Sequence, residues 1–521
     1  MAVPGWTGYW AQAREADGTQ VGEQFTWSVW IRVPDRISDT LGALLSTFDL
    51  RTRHGAELGL VYGASTSSQH NLATVEFGAD WGSDPRWQSL GRPGLSAGVL
   101  ALAVHDGDLY AGSVGGDGRG SVHRYRGGEW VALPGAGDTN CVNALASFDG
   151  HLYAGVSRYR TGGSAMSIPE NPEPGGEIFR LTSADTWEST GRLQGADAVT
   201  SLVVHDGRLY AAAMYQEGVF VLDETGWRPV GSPGRRVLTL GSAAGRLVAG
   251  GNDHADPDSA ISQTRAGIVV PQRDAAGGGG VFALEAPYDW RCYGMQPDTT
   301  QVYSLTTWQG RILASTWPNG YVFARGDDDW ESIGRLGAET EVMGLAVYNG
   351  ALYGGTLPHA QVHQYRGGQS WVEVGELDTT PEALYRRAAG LAIHDGALVW
   401  GCLPSGTVHA MRTGDVVTGD RTLSPGWHHL VASRGLGVHR LHLDGAIVAE
   451  VRSAATGPIA AGPLRVGAGA RTDFAGELRQ LRIYDRVLDA DEVAQLFASD
   501  DPQRAGTTFS PHHPTDLEGR S

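Results

Sequence analysis

Residues 99–112 read VLALAVHDGDLYAG, residues 142–155 read VNALASFDGHLYAG, and residues 342–355 read VMGLAVYNGALYGG. All three follow one pattern: a valine, a leucine three positions on, a turn closed by glycine, then Leu-Tyr and a glycine two residues later. The unit also starts at Val199, Val237 and Val302 and, less closely, at Ala389, which makes seven copies. Self-similarity of this kind signals a repeat architecture and decides the fold before any single residue does. Asp-Gly and Asn-Gly tolerate positive φ, so each such pair marks a hairpin between two strands. Farther along most copies come a Val-Phe or Val-His pair and then a Trp followed by glycine. Each copy therefore reads as four antiparallel strands, one blade of a β-propeller.

The outer strands fix the blade count. They begin at Trp130, Trp187, Trp227, Trp290, Trp330 and Trp371, and none follows Ala389. The missing segment stands ahead of the first copy, as Trp87-Gln88-Ser89-Leu90-Gly91. The last blade is expected to be completed by that segment, which removes an open sheet edge. The predicted fold is all-β: a seven-bladed β-propeller at residues 85–415 inserted into a sandwich made of residues 1–84 and 416–500. The tail at 501–521 is rich in Pro, Ser and His and is expected to be disordered.

The flanks carry the sandwich signal. Phe25, Trp27, Val29, Ile31 and Val33 alternate as a half-buried strand should. LGALLSTFD, GAELGLVYG and LATVEFGAD read as further strands, and VHRLHLDGAIVAEV as a hairpin turning at Asp444-Gly445. Asp489 and Glu492 have the spacing of a helix N-cap pair. Taken with GWHHLVAS, LHLDG, FAGEL and IYDRVL, this order resembles the laminin-G-like, concanavalin-like jelly rolls. The resemblance implies a domain that binds sugars or calcium, or that packs against a partner domain. A structural Ca2+ is compatible with it, and nothing in the sequence requires one.

Composition narrows the function. The net charge is −18, which disfavours nucleic acid as a partner. Lysine is absent, so no lysine Schiff base, general base or phosphate-loop lysine operates here. Any fixed positive charge in a site is arginine or a metal. No run of about 20 apolar residues exists to cross a membrane as a helix. MAVPGWTGYW shows neither a basic n-region nor an apolar h-region, so no signal peptide is visible. Secretion is favoured only by the kind of activity inferred below. Cys141, Cys292 and Cys402 are odd in number and widely spaced; they are expected to be buried small residues outside any disulfide framework.

Chemistry is expected on one propeller face. The turns between first and second strands are short and alike, whereas the loops between second and third strands differ from blade to blade. Variable loops on a rigid scaffold are where function usually sits. These loops and the crossings between blades concentrate arginine: Arg158 and Arg160, Arg265 and Arg273, Arg235 and Arg236, Arg386 and Arg387. Arginine pairs with a carboxylate through two parallel hydrogen bonds, which suits a uronic acid. Nearby Asp138, Asp253, Asp256, Asp378 and Glu382 offer internal partners instead. His254 and His359 are candidate general bases, Tyr159, Tyr215 and Tyr385 candidate proton donors or sugar contacts, and Trp317 a stacking platform. His105, His205 and His394 sit in structural turns. His123, His363 and His409 occupy a strand position filled elsewhere by Phe; neighbouring copies should lie roughly 14 Å apart, too far to share a metal ion.

These residue types allow three readings. β-Elimination needs a neutralised carboxylate, a base and an acid, which arginine, histidine and tyrosine supply without lysine. The overall plan resembles the propeller polysaccharide lyases, including those acting on rhamnosyl-glucuronate or ulvan linkages. That resemblance is architectural and carries no residue over. It implies an acidic oligo- or polysaccharide as the partner. A glycoside hydrolase with a carboxylate pair drawn from Asp253, Asp256 and Asp258 is the second reading. The Ser-x-Asp-x-Gly-x-Thr-Trp box of sialidases does not occur. A non-catalytic glycan-binding or adhesion protein is the third.

Overall fold

The computed structural model describes residues 11–12, 23–70, 73–158, 173, 175–196, 198–213, 218–234, 236–252, 279–294, 299–326, 329–453, 459 and 462–499. The 501–521 tail lies outside them. Seven blades form a ring, with innermost strands Ser96–His105, Cys141–Phe148, Val199–His205, Arg236–Ala243, Gln301–Trp308, Glu341–Tyr348 and Arg387–His394. We number the blades 1 to 7 in that order. Blade 7 contains Arg387–His394, Ala397–Leu403 and Val408–Arg412, and its outer strand is Arg86–Gly91, with Trp87 opposite Met411.

The repeated residues hold blade to blade. The Trp87 indole N–H donates to the Val374 carbonyl of blade 6 at 2.8 Å, and Trp130 donates to Leu90 of blade 7 at 2.9 Å. Trp227, Trp290, Trp330 and Trp371 likewise reach back to the preceding blade. The glycine of the Leu-Tyr-x-Gly motif is required by close approach. A Cβ on Gly155 would lie 2.5 Å from Val199 Cγ1, and one on Gly401 equally close to Val99 Cγ1. Thus Val142, Val199 and Val302 pack on Gly112, Gly155 and Gly250 of the blade before, and Val99 on Gly401 closes the ring.

Both chain ends build the sandwich. Phe25–Val33 lies between Gly426–Gly435 and Glu477–Tyr484 in one sheet, and Val75–Trp81 pairs with Asp415–Thr418 in the other. Their facing sides bury Trp27, Ile31, Leu45, Leu58, Phe77, Leu430 and Leu441. The chain leaves and re-enters at one point, where Ser83 Oγ accepts the Gly414 N–H at 2.5 Å. The sandwich covers the short-turn face of the propeller: Asp206 N–H donates to Ile37 O, Trp308 Nε1 to Ala470 O, and Asn349 N–H to Glu76.

Two sequence expectations need correction. The stretch GAELGLVYG divides: His54–Leu60 stays in the sandwich, whereas Tyr62–Ser65 enters the propeller and pairs with Gly344–Val347 of blade 6. Gln69 and His70 pair back on Ala64 and Gly63, so a hairpin occupies the propeller channel. Its polar groups are met by blade backbone: Ser67 O accepts from Leu202 N–H in blade 3, and Gln69 bonds both the N–H and the C=O of Ser242 in blade 4. Alternation could not reveal this, because a channel-lining strand and a sandwich strand share the same apolar period. Among the cysteines, Cys141 and Cys402 are buried but Cys292 is exposed, because it lies on an outermost strand that no further strand covers.

Two predictions follow from this packing. Trp87→Ala should destabilise the whole chain by about 2–3 kcal/mol, a half-buried share of the usual Trp truncation cost. A denaturation midpoint equal to that of wild type would show that the displaced strand does not hold the ring. At the domain interface, burial lifts the Asp39 carboxyl to about 7, opposed by hydrogen bonds from Thr307 and from the Thr40, Ala244 and Gly245 amides. The folded state then keeps a proton that the unfolded state has lost between about pH 4 and 7. Stability from this group is full at low pH and is lost as pH rises through about 7. Asp39→Asn should flatten that part of the Tm profile between pH 4 and 8; parallel profiles would refute it.

Candidate functional site

The face away from the sandwich is open, and its loops in blades 5 to 7 share one form. Each begins with a cis X-Pro bond: Trp317-Pro318, Leu357-Pro358 and Leu403-Pro404. In blades 6 and 7 a buried acid from the preceding crossing then holds the residue after the proline. In blade 7, Asp378 accepts the Ser405 N–H at 2.9 Å. In blade 6, Glu339 Oε2 accepts the His359 N–H at 3.1 Å and Glu339 Oε1 faces His359 Nδ1 at 2.5 Å.

That pairing orients the His359 ring. A carboxylate only accepts hydrogen bonds, so Nδ1–H is the donor to Glu339 and Nε2 is the ring nitrogen left for other contacts. The Glu339 side chain is 1% exposed and the His359 side chain 45%. Thr356 Oγ1 donates a further bond to Glu339 Oε2 at 2.7 Å, fixing the carboxylate from behind. The result is an oriented base at the open face, the arrangement general base catalysis needs.

The following crossing lies against the same loop. Arg386 N–H donates to Pro358 O at 2.9 Å, and Arg386 O accepts from Ala360 N–H at 3.0 Å. Its guanidinium is half-buried, 3.6 Å from Glu376. Arg387 opens the innermost strand of blade 7 and faces Glu341, which opens that of blade 6. Burial pushes the Glu341 carboxyl up, while Arg387 and a hydrogen bond from Tyr303 act the other way. Arg386 and Arg387 therefore each have an internal acid beside them, and it is Glu376 and Glu341 rather than Asp378 or Glu382. In an acid-rich chain, a half-buried arginine is stabilised by an internal carboxylate.

The channel hairpin supplies the floor. Thr66, at its tip, donates both its N–H and its hydroxyl to Met343 O, each at 3.1 Å, and is half-buried while Val61–Ser65 and Ser67–Gln69 are buried. Leu100, Met343, Ala389 and Leu403 form an apolar cluster there, with Tyr303 packed on it.

Of the residues singled out in the sequence, the structure gathers His359, Arg386 and Arg387 on blades 6 and 7, with Trp317 half-buried on neighbouring blade 5. Arg158 is on blade 2, on the far side of the ring. Tyr159, Arg160, Tyr215 and His254 lie outside the described residues, as do Arg235, Arg265 and Arg273. His123 and His363 are buried under Gly94 and Gly337, as Phe179 lies under Gly137, so they fill space. His105 bonds Ser147 of the next blade, and His205 bonds Ser242. Among the described residues no group of three His, Cys, Asp or Glu is placed to hold a metal ion. Sequence reasoning missed Glu339, Glu341 and Tyr303. The available signal was Glu339-Thr340-Glu341 before Val342, where blade 5 has Thr299-Thr300-Gln301.

Comparison with known proteins finds one family match and several structural neighbours. Residues 369–494 match the Laminin_G_3 model of the Concanavalin A-like lectin/glucanases superfamily. The match spans the end of blade 6, blade 7 and the second half of the sandwich. Similar solved structures include virginiamycin B lyase from Staphylococcus aureus, with a TM-score of 0.46 and 10% identity over 63% of this chain and 99% of that one. Another is the WD40 β-propeller domain of Doa1, at 0.41 and 12%, over 63% and 96%. No curated protein matches the sequence.

Glu339→Gln is a direct test of the dyad. An amide cannot accept both the His359 N–H and the ring N–H, so one donor loses its partner at a cost of about 1–3 kcal/mol. The denaturation midpoint should fall accordingly. An unchanged midpoint would mean that the carboxylate is not the acceptor of both.

Proposed function

We propose that the protein is a carbohydrate-active enzyme, a lyase that cleaves a uronate-containing glycan by β-elimination on the open propeller face. The observation that carries this reading is His359, half-exposed, held through Nδ1 by a buried carboxylate and flanked in the fold by Arg386 and Arg387. In the proposed step, Nε2 removes the proton α to the uronate carboxylate. The electrons of that C–H bond form the C4–C5 double bond as the C4–O bond breaks, and the His359 imidazolium returns its proton to the leaving oxygen. Arg387 would stabilise the charge that develops on the uronate carboxylate. Its internal neighbour is Glu341, whose carboxyl is pushed up by burial while Arg387 and Tyr303 act the other way. The concanavalin-like match of the sandwich agrees with a carbohydrate substrate but does not select the reaction.

A screen against uronate-containing polysaccharides tests this. A lyase generates unsaturated products that absorb in the ultraviolet. His359→Ala should lower that rate by more than about a hundredfold, the usual share of a general base, and leave glycan binding largely intact. Reducing ends without new absorbance would indicate a hydrolase instead. Binding without either product would indicate a recognition protein.

A further inference from the structure

The crossing between blades 6 and 7 is longer than its neighbour. Leu336 and Leu377 are equivalent anchors: each N–H bonds the residue two positions after a cis proline, Gly320 and Ala360. From there the innermost strand is reached in six residues, 336–341, in one case and in eleven, 377–387, in the other. The extra segment is pinned at both ends. Leu377 N–H donates to Ala360 O and Arg386 N–H to Pro358 O, so it brackets the His359 loop. Asp378 braces it by accepting from Thr380 N–H and Thr380 Oγ1 as well as from Ser405 N–H. Glu382 adopts the left-handed conformation, φ 61°, as the chain turns back.

Held this way, the segment presents two adjacent large apolar side chains to solvent. Leu384 is 68% exposed and Tyr385 40%. Both stand on the lip of the loop that carries His359, since Arg386, the next residue, is bridged to His359. A braced loop that keeps an aromatic ring uncovered beside an oriented base has the form of a stacking subsite. The axial C–H groups of a pyranose give it an apolar face that an aromatic ring covers well, and the phenol oxygen stays wet.

We propose that Leu384 and Tyr385 form the subsite for the sugar next to the uronate, with Tyr385 stacking on its apolar face. This rests on the glycan reading above and names which part of the substrate the long crossing recognises. Tyr385 is a positioning residue in it, not a proton donor.

Calorimetric titration tests it with two ligands: glucuronic acid, and a tetrasaccharide alternating glucuronic acid with a neutral hexose. Tyr385→Ala should weaken the tetrasaccharide about tenfold and leave glucuronic acid unchanged. Tyr385→Phe should behave as wild type, and Leu384→Ser should weaken only the tetrasaccharide. Both residues are exposed, so denaturation midpoints should stay constant. Wild-type tetrasaccharide affinity in Tyr385→Ala would overturn the subsite and leave the lyase reading standing. Failure of the wild-type protein to bind either ligand would overturn both. Loss of affinity in Tyr385→Phe would show that the hydroxyl, not the ring face, makes the contact.

Discussion

Ring closure is the constraint on which the rest of the molecule depends. A propeller whose first and last blades failed to meet would expose two sheet edges and an empty channel. Here the closing blade takes its outer strand, Arg86–Gly91, from ahead of the first blade. Trp87 ties that strand back to blade 6, Trp130 ties blade 1 to it, and Val99 packs on Gly401. The same arrangement dictates where the sandwich must be. The chain enters the ring through Arg86 and leaves it through Arg412, antiparallel partners on blade 7, so both linkers emerge together on the short-turn face.

Having both linkers on one face leaves the other open. The sandwich closes the channel by sending a hairpin up it from below, and the inner strand of blade 6 gains a second partner in Tyr62–Ser65, a fifth strand for that sheet. A channel lined by backbone and by small polar residues such as Ser242, Ser304 and Thr306 would otherwise hold only water. Filling it with a strand lets Ser67, Ser68 and Gln69 satisfy blades 3 and 4. The tip then forms the floor of the mouth at Thr66. The propeller face thus depends physically on residues far away in sequence, in the other domain.

On that face the blades are not equivalent. Blades 5 to 7 share the cis-proline loop, and in blades 6 and 7 an acid from the preceding crossing holds the following residue. In blade 7 that residue is a serine, and the result is a braced loop. In blade 6 it is a histidine, and the same brace produces an oriented base. One difference in residue type on a repeated scaffold thus places an imidazole where the neighbouring blade has a hydroxyl, without changing the fold.

The division between sequence and tertiary structure follows from range. Blade number, strand order within blades and the displaced Trp87 strand were legible because each rests on a pattern repeated seven times in local sequence. The host sandwich was legible from alternation in Phe25–Val33 and from the motifs after Gly426. His359, Arg386 and Arg387 could be named as candidates because loop position and residue type are local properties. Only the tertiary structure decided that Glu339 orients His359, that Glu341 and Glu376 lie beside the arginines, that Arg158 is across the ring, and that Tyr62–Ser65 belongs to the channel. Each of these depends on which blade lies next to which, and on the depth to which one domain enters the other. Hydrophobic period and residue type carry neither distance nor depth, so no reading of one strand at a time could supply them.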